Sequence, residues 1–398
     1  MRFYEFEAKR LLAKHGIPVP KSGLAKTAAE AEKVAAGIGF PVVLKAQVLS
    51  GASDAKASKV ADAAAQVKQA AEQLLQLDDG GRKPQGILVE KRPATSAQYA
   101  LAVTYDGTHK LPVMAASSTA GNIDHIADEH PERVVKRHFS ALHPFSDYQA
   151  KELVAALGLK GQELTRMTGV VSRLAQLFLR YDLTQADVFS LGRLEDGSLL
   201  ALDAHADMEV EGRPRQKAIL EELGIAPDDR RLVREPTAFE IEAAKIDSED
   251  PRGVAGPVVE FDGNIGLVIG AGGGSLTLTD AVRRHGGRPA NYAALGGNPS
   301  VRKAQRLTKL ILSKPGVEKI AVMSNVVSNT RADLVARGVI KGVIESGFKP
   351  ADKIAIFRVP GAWEADAAKI LQKYGIEYCD RSVSISEAAR RAVEKIGR

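Results

Sequence analysis

Residues 264–280 read NIGLVIGAGGGSLTLTD. An apolar run ends there in a cluster of glycines, and a stretch compatible with a helix follows. A glycine turn between a strand and a helix brings backbone N–H groups close to a ligand, which is most often an anion. The stretch therefore predicts a strand–turn–helix unit, and it raises the question whether the turn binds a phosphate, a carboxylate or no ligand.

The strand–helix rhythm continues from this stretch to the C-terminus. Apolar runs at 289–295, 319–327, 353–360 and 377–380 each precede a helical stretch. Alternating strands and helices of this size predict an α/β fold with a doubly wound parallel sheet. Ligands of such sheets bind beyond the carboxyl ends of the strands.

The residues before this sheet predict a separate domain of mixed α and β structure. Residues 3–16 show the helical spacing of apolar side chains, and residues 41–49 are typical of a buried strand. Residues 186–207 predict a hairpin that turns at Asp196 and Gly197.

A stretch rich in charge, glycine and proline, at 246–259, separates the two parts of the chain. We therefore expect one domain at 1–245 and a second domain at 246–398.

Composition and charge favour a cytoplasmic protein that binds small anionic molecules. The net charge of +6 comes from 55 basic and 49 acidic residues that are interleaved, and aromatic residues make up 5%, so nucleic-acid binding is weakly supported. No apolar run reaches the roughly 18 residues of a membrane span, and the N-terminus has no apolar secretory core. The single cysteine, Cys379, fits a reducing compartment.

The glycine turn does not match the common nucleotide fingerprints. It lacks the G-x-G-x-x-G spacing and the strand-end acid of an NAD site, and it lacks the G-K-[ST] of a P-loop. It offers the N–H groups of Gly272, Gly273 and Gly274 at the start of a helix, together with the hydroxyl of Ser275. A tight connection without a ligand is the alternative interpretation.

Two further polar elements follow strands of the same predicted sheet. Ser328, Asn329 and Thr330 lie where a strand turns into a helix, and Arg358 ends the next strand. Each has a structural alternative, as a helix cap or as a surface ion pair. An arginine fork binds carboxylates well, and three such elements at one sheet edge favour a binding cleft.

Four charged residues in the first part of the chain are candidates for nucleotide chemistry. Lys45 ends an apolar strand, where its ammonium group must reach water or an anion, and Glu90 is a comparable acid at a strand end. Asp187 and Asp203 lie on the two arms of the predicted hairpin, where carboxylates can hold Mg²⁺ against phosphates. The alternative is that both aspartates are solvated residues that flank a turn.

The eight histidines form no recognisable metal-binding spacing, and no Ser-His-Asp or Cys-His set is evident. His285 and Cys379 are interpreted as structural residues.

The stretch at 264–297, together with SNVVSNTRADLVARGVIKGVIE at 324–345, resembles the β-subunit of succinyl-CoA synthetase. The N-terminal FYEFEAKRLLAKHGIPVP and VVLKAQV resemble the start of the same subunit, and AGGGS is similar to a loop of ATP-citrate lyase. The resemblance runs nearly end to end and in the same order.

This resemblance implies an N-terminal ATP-grasp domain and a C-terminal flavodoxin-like domain. It implies the reaction of an acid, CoA and ATP to acyl-CoA, ADP and phosphate, through a phosphohistidine and an acyl phosphate. The phosphohistidine and the CoA-binding domain would belong to a partner α-subunit, so no catalytic residue is expected in this chain.

The resemblance also implies roles for the candidate residues. Lys45, Glu90 and Gln98 would bind the nucleotide, Lys45 at the phosphates and Glu90 at the adenine edge, while Asp203 with Asp187 would hold Mg²⁺. The AGGGS turn, the loop at 328–330 and Arg358 would bind the acid and the phosphoryl group.

Several positions depart from the family pattern. Its metal-binding E-I-N-P-L is here DVFSL, so Phe189 replaces the amide ligand, and Gln98 replaces an expected acid. A glycine-rich lid is replaced by GASDAKASK at 51–59, with Asp54 near the expected phosphates. An F-G-G loop is Val-Val-Ser at 326–328, which favours a polar acid other than succinate.

Two hypotheses remain open from the sequence. The first is an ADP-forming acid–CoA ligase subunit with altered acid specificity. The second is a paralogue that has lost nucleotide chemistry and acts as a binding or regulatory subunit. An NAD-dependent enzyme is improbable because of the glycine spacing.

Overall fold

The computed structural model describes residues 1–49, 57–80, 82–226, 229, 231 and 234–396. The chain separates into two compact units, Met1–Glu235 and Pro236–Arg398. The predicted boundary between residues 245 and 246 falls inside a helix of the second unit, Ala238–Ser248. That helix is held in the second unit by its Asp247, which accepts a hydrogen bond from the backbone N–H of Ala255 at 2.7 Å.

The first unit contains seven helices and ten strands in its described part. In chain order they are α1 (Glu5–Lys14), β1 (Ser22–Ala25), α2 (Ala28–Ile38), β2 (Val42–Ala46), β3 (Ser58–Ala61), α3 (Ala64–Leu75), β4 (Ile87–Lys91), β5 (Ala97–Asp106), β6 (Leu111–Ser117), α4 (Ile123–Glu129), β7 (Val134–His138), α5 (Asp147–Ala156), α6 (Gly161–Arg180), β8 (Leu183–Arg193), β9 (Leu199–Ala201), β10 (His205–Met208) and α7 (Lys217–Glu222).

Two antiparallel sheets organise the first unit. The smaller has the order β1-β4-β2-β3, and the larger has the order β10-β8-β5-β6-β7 with β9 also paired to β8. The predicted hairpin is confirmed, because Leu191 pairs with Ala201 across a turn at 194–198. A long amphipathic helix, α6, covers the larger sheet with an apolar face that includes Met167, Leu174 and Phe178.

The second unit has seven helices and five strands in its described part. They are α8 (Ala238–Ser248), β11 (Val254–Glu260), β12 (Ile265–Gly270), α9 (Gly273–Arg284), β13 (Asn291–Gly296), α10 (Val301–Ser313), β14 (Lys319–Met323), α11 (Ala332–Glu345), α12 (Pro350–Lys353), β15 (Ile354–Arg358), α13 (Glu364–Gln372) and α14 (Ile385–Ile396). Within the described residues of the chain, no helix combines the length and the apolar character that crossing a membrane requires.

The sheet of the second unit has the order β11-β13-β12-β14-β15. The four strands from β12 to β15 are parallel, as the sequence predicts, and β11 joins their edge antiparallel to β13. The sequence interpretation missed β11 because its Pro257 resembles a linker residue, but proline is tolerated in an edge strand. The strand expected at 377–380 is reduced to a single bridge between Phe357 and Tyr378.

The register of the parallel strands aligns their carboxyl ends. Ile269 of β12 lies beside Met323 of β14, and Met323 lies beside Arg358 of β15. The strands approach so closely that a Cβ atom added to Gly270 would lie 2.4 Å from the Cβ of Ser324. The glycine turn and the loops after β14 and β15 therefore meet at one edge of the sheet.

Candidate functional site

A cavity of about 610 Å³ in the first unit is lined by four of the predicted nucleotide and metal residues. They are Lys45 of β2, Glu90 of β4, Gln98 of β5 and Asp203, which lies between β9 and β10. Lys45 and Glu90 share a face because β2 and β4 are paired with Val43 opposite Glu90. We call this space the nucleotide cavity.

Two lysines and two glutamates form a largely buried ion-pair group, of which Lys45 and Glu90 line the nucleotide cavity. We call Glu5, Lys9, Lys45 and Glu90 the charge quartet. Lys9 Nζ lies 2.6 Å from Glu90 Oε1 and 3.0 Å from Glu5 Oε1. Lys45 Nζ lies 2.6 Å from Glu5 Oε1 and 3.1 Å from Glu90 Oε2, so each charge has two opposite neighbours.

Both lysines also donate a hydrogen bond to the carbonyl oxygen of Leu202, at 2.8 Å from Lys9 and 2.5 Å from Lys45. Burial by itself would raise the pKa of Glu5, but the ammonium groups of Lys45 and Lys9 outweigh it and lower that pKa to about 2. Burial would likewise lower the pKa of Lys45, but Glu5 and Glu90 raise it well above its ordinary value. Glu5 and Lys45 are therefore both charged at neutral pH.

Sequence reasoning missed Glu5 and Lys9. Their spacing of four residues on α1 is the only signal, and it is also typical of an exposed helical ion pair. The structure shows that Lys9 is 3% exposed. The positive charge of Lys45 is itself compensated by two carboxylates of this chain, those of Glu5 and Glu90.

Gln98 and Asp203 lie at the rim of the nucleotide cavity and are connected through Ser190. The hydroxyl of Ser190 donates to Gln98 Oε1 at 3.2 Å, and its backbone N–H donates to Asp203 Oδ1 at 3.2 Å. Among the described residues, none forms a hydrogen bond or an ion pair with Asp203 Oδ2, so that oxygen can accept a further ligand.

Asp187 lies in a different cavity of the first unit, with a volume of about 190 Å³. The alternation of β8 directs Gln185, Asp187 and Phe189 into it together. The register places His205, rather than Asp203, directly opposite Asp187. The two predicted metal ligands thus point into adjoining spaces instead of facing one another across the hairpin.

The carboxyl group of Asp187 is 3% exposed and incompletely paired. Gln185 donates to its Oδ2, while Oδ1 has no hydrogen-bond partner among the described residues. Burial, with repulsion from Asp124 and Asp203, raises the pKa of Asp187 from its ordinary value of 3.8 to about 8. Asp187 is therefore protonated at neutral pH when no cation is bound.

The ring of Phe189 lies 4.8 Å from the ring of His205, centroid to centroid, on the same side of the cavity as Asp187. This contact places an aromatic ring at the position where the family resemblance led us to expect an amide ligand, and it lowers the polarity around Asp187.

In the second unit, the glycine turn begins α9. Gly272 has a positive φ of 87°, which favours glycine, and Gly272 and Gly273 are exposed with helix-terminal N–H groups. Ser275 is buried and points inward, where its hydroxyl donates to the carbonyl of Gly272 and contacts the hydroxyl of Tyr292. The N–H groups, more than the Ser275 hydroxyl, are available to an anion. Gly274 packs against Asn325 of the next loop.

The loop after β14 presents Ser328 and Asn329 to solvent, whereas Thr330 is buried. Thr330 accepts a hydrogen bond from the backbone N–H of Asn298 at 3.2 Å. The neighbouring Arg331 stacks its guanidinium 3.8 Å from the centre of the Trp363 ring, in the loop after β15. The exposed polar groups of this edge are therefore carried by loops that are fixed to one another.

Arg358 is buried, and its Nε and Nη1 donate to the carbonyl oxygens of Val383 and Ser324 at 2.6 and 2.5 Å. Burial lowers its pKa from the ordinary arginine value. No carboxylate of the described residues forms an ion pair with it, so it retains an uncompensated positive charge beneath the loops. The surface ion pair considered from the sequence is not observed.

Comparisons with known proteins give a consistent assignment. The family model described as an ATP-grasp domain matches residues 2–192. The succinate–CoA ligase [ADP-forming] subunit beta of Roseiflexus sp. is 31% identical over 407 residues, which cover 99% of both chains. The chain belongs to the family of succinate–CoA ligase β-subunits. A GDP-forming relative from Thermus thermophilus is 30% identical, over 100% of this chain and 99% of that protein.

The fold of this β-subunit family member is also found in a solved structure. ATP citrate lyase from Methanothrix soehngenii, in complex with citrate and coenzyme A, superposes with a TM-score of 0.67 over 99% of each chain. Because the two sequences are only 16% identical, this comparison supports a shared fold alone. The predicted fold class, an ATP-grasp domain followed by a parallel-sheet domain, is confirmed.

Asp54 and most of the lid stretch at 51–59 lie outside the described residues.

Lys9→Met should destabilise this β-subunit far more than Lys14→Met. The first change leaves Glu90, which is 2% exposed, with half of its compensating charge. Breaking a buried ion pair costs about 3 kcal/mol, whereas an exposed pair such as Lys14 with Glu222 contributes about 1 kcal/mol or less. The free energies of unfolding in urea decide the comparison, and equal losses would contradict a buried role for Lys9.

Asp187→Asn should remove a pH dependence of stability. The pKa of Asp187 is raised to about 8 in the folded protein, so the protonated carboxyl group is favoured by folding. The resulting stabilisation of the folded state is complete below pH 3.8 and is lost as the pH rises through 8. Across this window, the free energy of unfolding of the wild type should therefore fall by up to about 1.4 kcal/mol per pH unit relative to that of the variant. Urea titrations from pH 5 to about 9, without Mg²⁺, measure the difference. Asp128→Asn, on the exposed side of α4, is the matched control, and parallel curves for wild type and Asp187→Asn would refute the raised pKa.

Proposed function

We propose that this protein is the β-type subunit of an ADP-forming carboxylic acid–CoA ligase. It would take part in the conversion of an acid, CoA and ATP to acyl-CoA, ADP and phosphate. The observation that carries the proposal is the nucleotide cavity, whose volume of about 610 Å³ suits a nucleotide and whose rim includes Lys45, Gln98 and Asp203. Similarity to the β-subunits over the full chain supports the same activity.

The proposal divides the chemistry between the two domains and a partner. The domain at 1–245 would bind ATP, and the domain at 246–398 would bind the acid and the phosphoryl group. The phosphohistidine and most of the CoA site would lie on an α-type subunit, so this chain would supply no covalent catalyst. The β-type subunit would bind, orient and neutralise charge.

The charge quartet would position the ammonium group of Lys45 to bind a phosphate group. With Glu5 and Glu90 on one side, the ammonium group is held at a fixed position in the wall of the nucleotide cavity. The role at the adenine edge proposed for Glu90 competes with this pairing, because both of its oxygens already accept hydrogen bonds from Lys9, and Oε2 is also paired with the ammonium group of Lys45. Gln98 remains available for a neutral hydrogen bond to the nucleotide.

The donor set fits a magnesium ion that is held partly by phosphates. Mg²⁺ commonly takes one or two protein carboxylates and completes its shell with substrate oxygens and water. Asp203 Oδ2 is a suitable oxygen in the nucleotide cavity, while Phe189 offers none. The unpaired Asp187 Oδ1 lies in the smaller cavity, so Asp187 would have to turn toward Asp203 to share the same ion. When bound, Mg²⁺ would neutralise phosphate charge, and Asp187 would have to give up its proton.

The acid is proposed to be small and polar. The exposed N–H groups of Gly272–Gly274 and the side chains of Ser328 and Asn329 offer hydrogen bonds to a carboxylate or an acyl phosphate. Thr330 and Ser275 shape the loops from within, and the buried charge of Arg358 provides positive potential at the same edge.

A second function is favoured by one specific observation. Phe189 provides no metal ligand and instead packs its ring against His205 in the cavity that contains Asp187. A paralogue that has lost nucleotide chemistry, and that acts as a binding or regulatory subunit, would show such a replacement.

Asp203→Ala distinguishes the two functions. If the first is right, isothermal titration of the chain with Mg·ATP shows binding, and the variant weakens it by at least about tenfold, or about 1.4 kcal/mol. Asp128→Ala, outside the cavity, should bind like the wild type. Absence of Mg·ATP binding, with and without the α-type partner, would reject the ligase and favour the regulatory subunit.

Asn329→Ala tests the acid site in the reconstituted ligase, with succinate as the first acid examined. Loss of a hydrogen bond to a carboxylate should raise the KM for the acid by about tenfold or more and leave the KM for ATP unchanged. Asn264→Ala is the matched control, because Asn264 lies at the opposite end of β12 and bonds Glu318. An equal rise of both KM values would argue against an acid site at this edge.

A further inference from the structure

Three side chains of the first unit converge on one point outside both cavities. Asp106 Oδ2 lies 2.7 Å from His109 Nδ1 and 2.7 Å from His138 Nε2. One ligand atom from each residue falls within 4.8 Å of the other two, and this is the only such group of three that the described residues contain. We call it the Asp-His-His cluster.

The fold builds this cluster on paired strands. Asp106 ends β5 opposite Leu111 of β6, and His138 ends β7 opposite Val113 of β6. The Oδ1 of Asp106 accepts the backbone N–H groups of Thr108 and His109, at 2.8 and 3.2 Å, and thereby fixes the turn that carries His109. The second oxygen, Oδ2, is left to face the two imidazole rings.

The cluster has the chemistry of a transition-metal site. Asp106 offers a carboxylate oxygen to the point at which each histidine offers one ring nitrogen. A cation placed among the three atoms would accept a lone pair from each ring, with the ring proton on the opposite nitrogen. Imidazole and carboxylate together suit Zn²⁺, Co²⁺ and Ni²⁺, whereas Mg²⁺ prefers oxygen ligands alone.

The geometry needs only a small adjustment to accept such an ion. Ligand atoms around tetrahedral zinc lie about 3.3 Å apart, given bonds of about 2.0 Å, so the 2.7 Å contacts must open by roughly 0.6 Å. The side chain of His109 is 60% exposed and can move by this amount. Water would complete the shell, as in open zinc sites with three protein ligands.

We propose that Asp106, His109 and His138 bind one divalent transition-metal ion of the zinc class, at a site separate from the nucleotide cavity. None of the three residues lines either cavity described above. The ion would fasten the end of β7 to the turn between β5 and β6, and would not take part in nucleotide binding.

The test is a titration of the full chain, prepared without a histidine tag and in excess Mg²⁺, with Co²⁺ and then with Zn²⁺. One equivalent of Co²⁺ should produce the intense visible absorption of a four-coordinate ion, and Zn²⁺ should displace it and raise the melting temperature. Asp106→Asn and His138→Gln should each weaken binding by at least about tenfold, since even outer-shell changes cost that much at metal sites. His143→Gln, an exposed histidine outside the cluster, should bind like the wild type.

The proposal is overturned if no saturable cobalt spectrum develops, or if one develops equally in Asp106→Asn. It is also overturned if His143→Gln removes the signal as fully as His138→Gln. Circular dichroism establishes that each variant is folded. If His138→Gln does not fold, His109→Gln replaces it in the test, because the side chain of His109 is largely exposed. The His109→Gln variant should show the same weakening of metal binding.

Discussion

The charge quartet is the constraint on which the first domain depends. Its members come from α1, β2 and β4, and both lysines also bind the carbonyl of Leu202 beside the larger sheet. Removing four charges from water is costly, and only their mutual pairing with good geometry offsets that cost. If α1 packed against the sheets in a different position, Glu5 and Lys9 would lose their partners on β2 and β4 and a charge would be left unpaired. The quartet therefore favours the single position of α1 that pairs all four charges.

That selection also defines the wall of the nucleotide cavity. Lys45 reaches the cavity from a strand whose other side chains are apolar, and its direction is set by Glu5 and Glu90. In the smaller cavity, Asp187 shows the opposite solution for a buried acid, because it has no cation beside it and keeps its proton. Lys45 is thus charged without any ligand, whereas Asp187 becomes charged at neutral pH only when a cation binds.

Much of the second domain was predictable, because buried parallel strands and their connecting helices leave a strong periodic signal. The positions of Gly272 and Arg358 at one sheet edge followed from that rhythm alone. The quartet was not predictable, since Glu5 and Lys9 have the spacing of a common surface pair. The Asp-His-His cluster was hidden for a different reason: His109 and His138 are far apart in sequence, and only the three-stranded meander of β5, β6 and β7 brings them together. The family resemblance fixed the fold but could not show that Asp187 and Asp203 point into different spaces.

The stacking of Arg331 on Trp363 has a practical consequence for optical work on this protein. Trp363 is the only tryptophan in the chain, and it is 52% exposed in the loop after β15. Its indole lies under a guanidinium that belongs to the loop carrying Ser328 and Asn329. The indole emission of the chain therefore originates at the edge of one sheet, where it senses the electrostatic surroundings of those two loops, and the first domain contributes no indole background to it.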